Sequence, residues 1–558
     1  MRVRVAAALL AFSVPLHAGS NIVATSAALS TASPYATSIG LTVLKNGGNA
    51  MDAAVAVAFA LAVVHPQAGN IGGGGFLVYY DAKSKGTWAL DFRETAPGAA
   101  TGDMFLLPDG KVSPEIRTGP KSAAVPGTVA GLATAHDRFG SRPWKELLAP
   151  AIALARDGFP VDRRLAADLA EEKNDRKIDE MATTKAIFFP DGKPPAAGTK
   201  LVQADLAATL ERIAANGEAG FYSGETATRM VDSIKAAGGI ISDRDLRDYK
   251  ALWRAPLKIA FGDYSIYTVP PPSAGGIVLA EALNILSGYD LGSLGFQTAR
   301  SIHLEAEAER RAAIDRNRYI GDPATSRIPY RDLLSPQRAA LWRASIDLQR
   351  ATPTVTLTEP TPNMAEGKHT THFSIADKAG NIASLTTTLN ENFGSGYVAG
   401  GCGFFLNNSM DDFSAGSGKV NRYGMAQSSA NAIEPGKRMV SSMTPLIVFR
   451  KDRPFMALGT RGGPAIPTTV LQVLLNVIVF NKSLPDAVAA PRYHHQGMPE
   501  DIYYEQDVAP KALIDALGAM GHGVRGRDSI GDVHAVQFTG GRIVAVADPR
   551  SGGAAGGF

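Results

Sequence analysis

The sequence predicts an α+β fold in which layered sheets are flanked by helices. Two patterns carry that expectation. Between roughly residues 130 and 350 apolar residues recur at helical spacing, at 147–156, Ala204–Asn216, 225–237 and 298–318. In the C-terminal third, short runs at 372–376, 382–389, 446–449, 455–458, 535–538 and 543–547 read as strands, with helices at 468–480 and 510–520 among them. The composition is that of a globular chain: 558 residues, 45% hydrophobic and 20% charged. Against 53 Asp+Glu stand 56 Lys+Arg, a formal charge of +3, so the basic excess of a nucleic-acid binder is missing. The length admits three or four domains or one large layered unit. With 58 Gly and 34 Pro, many turns are expected.

The chain opens with Arg2 and Arg4, runs apolar from Val5 to Leu16, and reaches the small residue Ala18. A basic start, a short apolar run and a small residue make a signal peptide over 1–18, and the run is too short to span a bilayer. Export to a periplasm or beyond is therefore expected. Pro34–Lys45 reads as a helix closed by Gly47 and Gly48. A second apolar run, 53–64, has the length of a buried helix. Four glycines, Gly72 to Gly75, precede a strand at 76–80, whose hairpin partner is 88–92. Residues 353–368, rich in Pro, Gly and Thr, read as an exposed linker. No internal repeat is present.

Common catalytic signatures fail. The glycine run has Leu77 where a dinucleotide loop needs glycine, and there is no P-loop, His-Glu-x-x-His or Gly-x-Ser-x-Gly. His494 and His495 are adjacent, so in regular structure they point apart and do not chelate one ion. Cys402 is the single cysteine. It cannot close an intrachain disulfide, and its small-residue surroundings read as a buried hydrophobe.

One junction is suited to chemistry. The linker ends at Gly367-Lys368-His369, and a strand begins Thr370-Thr371-His372. A threonine hydroxyl needs a neighbouring base to become a nucleophile. Cleavage between His369 and Thr370 would free an α-amine on the same residue to act as that base. Its pKa, about 7.7–8.0, leaves a useful neutral fraction.

Thr370-Thr371-His372-Phe373-Ser374 resembles the processing site of the γ-glutamyltranspeptidases, or glutathione hydrolases, of the exported bacterial type. The resemblance covers nearly the whole mature chain. It includes Gly47 to Ala54, His65 to Phe76, Asp91-Phe92-Arg93-Glu94, Pro126 to Gly131 and Pro270 to Ser273. It continues through Asn407 to Phe413, Ser441-Ser442-Met443, Gly462-Gly463, Pro491 to Gln496 and Asp548-Pro549-Arg550. It implies an N-terminal-nucleophile hydrolase fold, a four-layer αββα sandwich with two stacked antiparallel sheets. It implies a precursor that cuts itself into a large subunit, 19–369, and a small one, 370–558, which stay together. It implies no metal or organic cofactor.

The resemblance also assigns roles. Thr370 is the nucleophile and Thr388 orients it. Gly462 and Gly463 form the oxyanion hole. Arg93, Ser441 and Ser442 take the substrate's α-carboxylate; Asp412, with Asn390, takes its α-ammonium. The implied substrate is a γ-glutamyl compound such as glutathione, and water, an amino acid or a peptide is the acceptor. Residues 416–434 match a lid loop, with Tyr423 at its aromatic position. Two departures stand out. Ser409 replaces a longer Gln or Glu that assists at the α-ammonium, and Thr460-Arg461 replaces a common Ser-Pro. Two other readings compete: a cephalosporin (glutaryl) acylase of the same family, and a periplasmic binding protein that never cuts itself.

Overall fold

The computed structural model describes residues 19–357, 370–415, 429–506 and 508–558. Two seven-stranded sheets, every neighbouring pair in them antiparallel, form its centre. The inner strands of the first are Thr370–Ala376, Ile382–Thr388 and Gly74–Asp81, side by side. The second is built around Arg453–Gly459, Leu446–Arg450 and His534–Thr539.

Strand alternation sets the layers. Phe76, Val78 and Tyr80 pack against Ile447, Phe449 and Val536 of the other sheet, forming the core between the sheets. The intervening Leu77 and Tyr79, with Phe373, Ile375 and Leu385, face a helical layer instead. That layer includes Ala50–Val64, buried end to end and started by a capping box of Asn49 and Asp52. On the far side Leu446, Val448, Met456 and Leu458 pack under the helices Gly275–Leu286, Ala299–Tyr319 and Ala465–Ile478. The order is helix, sheet, sheet, helix, the αββα sandwich expected.

The expected helices and strands are present with shifted ends: the 53–64 helix begins at Ala50, and the 225–237 helix is Gly224–Ala236. Several strands were not anticipated. Asn21–Ala24 pairs with Arg542–Ala547, and Ala28–Thr31 lies between Ala554–Gly557 and Thr370–Ala376. These four-residue segments are too short for a periodic signal, and distant partners define them. The same holds for Leu252–Arg254, Leu257–Phe261 and Tyr264–Thr268, within the stretch read as helical. Of the expected linker, Thr354–Thr356 is a 3₁₀ turn with Thr354 buried, its hydroxyl donating to the Gly497 carbonyl at 2.6 Å; 358–368 lie outside the described residues. So do residues 1–18, expected as a signal peptide, His369 and Tyr423.

Candidate active site

Thr370 is the first residue of its strand and pairs in register with Thr388, the last of the next. Both side chains share the face that carries His372, Ser374, Ser384 and Thr386, turned toward the second sheet. That face is polar next to the site: His372 Nδ1 lies 2.8 Å from Thr386 Oγ1 and its Nε2 2.9 Å from Ser374 Oγ. Burial pushes this imidazole well below its usual range, so it stays neutral. Thr370 Oγ1 donates to Thr388 Oγ1 at 3.4 Å, and Thr388 Oγ1 also accepts the Asn390 amide at 2.8 Å. Gly73 allows this arrangement, because a Cβ there would sit 2.0 Å from the Thr388 carbonyl oxygen.

A cavity of about 380 Å³ opens at Thr370. Its walls include Arg93, Asn390, Asp412, Ser441, Ser442 and Gly463, so six of the expected site residues converge with Thr370 and Thr388. Gly462 lines a neighbouring cavity of about 250 Å³ with Arg461 and Arg527. The two glycines precede the Ala465–Ile478 helix and have φ of 135° and 55°. Both lie where side chains are strained, so the turn that presents their N–H groups needs glycine.

Arg93 follows the Gly86–Phe92 strand and is 1% exposed. Its backbone is held from three sides. The amide donates to Asp91 Oδ1 at 2.9 Å, and the carbonyl accepts from Tyr249 Oη at 2.9 Å and Arg438 Nη1 at 2.8 Å. The guanidinium pairs with Glu94 at 3.1 Å and with Asp412. Burial pushes the Asp412 carboxyl up to about 6; Arg93 and Arg316 pull it down and Glu94 pushes it up. Ser441 is fixed by a bridge to Ser273 and accepts the Met443 amide on its Oγ at 3.1 Å. The cavity thus offers a cation and an anion side by side near a hydroxyl, the complement of an amino-acid end plus a reacting carbonyl.

Ser409 Oγ donates to Glu94 Oε1 at 2.8 Å. The short hydroxyl that replaces a longer polar side chain therefore anchors the acid beside Arg93. Arg461 meets Asp532 at 3.6 Å. Cys402 is buried, and burial pushes its thiol up to about 12, which removes it as a nucleophile. His494 bonds Thr468 and Gln496, whereas His495 bonds the Glu500 carbonyl and the Gly497 amide, so the two rings serve separate partners.

Among the described residues one grouping has metal-ligating atoms within 4.8 Å of one another: His303, Glu307 and His522. The Glu307 carboxylate already takes Arg310, Arg311 and the Thr352 amide, and His303 Nδ1 lies 2.8 Å from His522 Nε2. Two guanidiniums on the only carboxylate oppose a cation there.

Sequence reasoning missed Arg316, Val440, Pro464 and Ile466 in the cavity wall. Arg316 gave no signal because it is one of many charged residues on its helix, and spacing does not say which of them the fold turns inward.

A family model described as gamma-glutamyltranspeptidase matches residues 36–558. The chain belongs to the γ-glutamyltranspeptidase family. It is 42% identical over 521 residues to the glutathione hydrolase proenzyme of Escherichia coli, covering 92% of this chain and 89% of that one. Identity to the proenzyme of the same description from Pseudomonas aeruginosa is 43% over 531 residues, covering 93% and 92%. The crystal structure of a cephalosporin acylase from Bacillus halodurans superposes with a TM-score of 0.84 at 27% identity, covering 97% of each chain. For this γ-glutamyltranspeptidase family member, the N-terminal-nucleophile hydrolase architecture is thus shared with relatives of two named activities.

Proposed function

We propose that this protein is a γ-glutamyl hydrolase and transferase made as a precursor. The chain cuts itself between His369 and Thr370, giving a large subunit, 19–369, and a small subunit, 370–558, that remain paired. The observation that carries the reading is the placement of Thr370: at a strand start, bonded to Thr388, in one cavity with Arg93 and Asp412. The freed α-amine accepts the Oγ proton as Oγ attacks the γ-carbonyl of glutathione or a related amide. The N–H groups at Gly462 and Gly463 stabilise the oxyanion. The amine leaves with the proton, and an acyl-threonine ester remains. Water, or the amine of an amino acid or peptide, then attacks the ester and releases Thr370. Arg93, Ser441 and Ser442 hold the α-carboxylate; Asp412 and Asn390 hold the α-ammonium. No cofactor enters these steps.

Asp412 favours γ-glutamyl over glutaryl donors, since a glutaryl group has no ammonium to meet it. A glutaryl acylase is the second reading, favoured by the Ser409–Glu94 bond, which commits the residue at the α-ammonium assist position to a protein partner. Residues 1–18 would direct export to the periplasm or medium. Among the described residues no helix is long and apolar enough to cross a membrane.

Intact mass under denaturing conditions tests the reading, with Thr370→Ala alongside. The wild type should give two fragments, the smaller about 20 kDa of the 58.5 kDa chain and beginning at Thr370, and the variant one. A wild type that stays a single chain for days would leave the fold without the activity.

A further inference from the structure

We infer that Arg316 is a second carboxylate-binding residue of the donor cavity, forming with Arg93 a two-arginine clamp on the substrate's α-carboxylate. The inference rests on the γ-glutamyl reading above and adds to it.

The two guanidiniums are compensated differently. Arg93 is in contact with two carboxylates, Glu94 and Asp412, and Asp91 lies close enough to add to the field. An incoming carboxylate must compete with both. Arg316 is the opposite case. It projects from the last turn of the Ala299–Tyr319 helix, is 6% exposed and lines the same cavity as Thr370 and Arg93. Its side-chain hydrogen bond goes to Asn317 Oδ1 at 2.7 Å. No carboxylate lies within salt-bridge distance among the described residues; Asp412 acts on it only from farther away. Burial accordingly pushes its guanidinium down to about 10, the mark of a cation short of an anion.

A guanidinium carries five N–H donors in a planar fork, and burying it without a partner is costly. A ligand carboxylate would supply the missing charge and acceptors. Charge balance points the same way. Among the described residues, Arg93 with Glu94 and Asp412 sums to one negative formal charge, and Arg316 carries one positive. An α-amino acid end is complementary to that pair: ammonium on Asp412, carboxylate spanning the two arginines. Arg316 also borders a second cavity of about 350 Å³, which shares Ser442 and Pro464 with the first. It thus stands, with Ser442 and Pro464, where the donor site borders that second cavity.

Three anilide donors separate the possibilities. The γ-glutamyl donor has carboxylate and amine, the glutaryl donor only the carboxylate, and the 4-aminobutyryl donor only the amine. Arg316→Gln should raise KM for the first two by about tenfold or more, as expected for losing a charge-assisted bond, and change kcat little. The amine-only donor should escape that loss, and Arg316→Lys should recover part of it. Equal losses on all three donors would mean that Arg316 supports the fold and would overturn the inference. A loss confined to the two amine-bearing donors would overturn it as well, by showing that Arg316 acts through Asp412. A wild type that turns over none of the three overturns the γ-glutamyl reading itself, so the two failures are distinguishable.

Discussion

Replacing Thr388 by Val deletes one hydroxyl and nearly preserves shape, and two of its contacts among the described residues set a scale for the consequences. The first is the bond from Thr370 Oγ1 at 3.4 Å. It is long for a hydroxyl pair, and a neutral bond of this kind contributes about 1 kcal/mol. The second is the Asn390 amide, which donates to Thr388 Oγ1 at 2.8 Å. With Val it faces a methyl group, and a buried donor left without an acceptor costs about 1–3 kcal/mol. Asn390 is held at φ 78°, so the lost bond also releases a residue of the cavity wall from a conformation it does not prefer. Together these cost about 2–4 kcal/mol, of which the part expressed in the transition state should lower kcat/KM about 10- to 100-fold. Self-cleavage should slow as well, since the same hydroxyl is the attacking group. Anilide release measures the first effect, and a denaturing-gel time course of fragment appearance the second. Thr388→Ser should recover most of both. A Val variant within about twofold of wild type on both readouts, or a Ser variant as slow as Val, would refute the assignment of Thr388 as the orienting hydroxyl.

Burial holds the Asp412 carboxyl near 6, and only its ionised form binds an ammonium. As pH falls through that value, kcat/KM for a γ-glutamyl donor should lose one more proton of slope than for a glutaryl donor; parallel profiles would contradict the role. Gly73→Ala would drive a Cβ to 2.0 Å from the Thr388 carbonyl. A loss of about 3 kcal/mol or more is expected, visible as a lower thermal midpoint and poor self-cleavage; an unchanged midpoint would show that the strand can shift. The buried Cys402 thiol should resist a disulfide reagent in the native protein and react fully on unfolding, and fast native labelling would place it elsewhere.

Much of the fold was legible in sequence where the signal was local. The Pro34–Lys45 helix, the 76–80 and 88–92 hairpin and the strand pair beginning at Thr370 all carry their own period or turn residues. The expected site residues came from the family resemblance of an ordered set of motifs, and eight of them line one cavity. The four-residue strands at the chain's ends were not legible. Asn21–Ala24 becomes a strand because Arg542–Ala547 lies beside it, a pairing that no window of sequence contains.

Composition and spacing by themselves determined a globular α+β chain and a threonine at a strand start after a Pro- and Gly-rich segment. Tertiary structure decided which charges are buried, and the Ala299–Tyr319 helix shows why. Its Glu305, Glu307, Glu309, Arg310, Arg311, Asp315 and Arg316 are residue types that ordinarily face water, yet all are buried. Glu307 takes Arg310 and Arg311, Asp315 takes Arg338, and Glu305 takes the Tyr493 hydroxyl. Pairing makes burial of charge tolerable; Glu307 finds its partners on its own helix, whereas those of Asp315 and Glu305 come from other segments. Arg316 differs from Arg310 and Arg311 on that helix, because the fold turns it toward the donor cavity instead of a carboxylate.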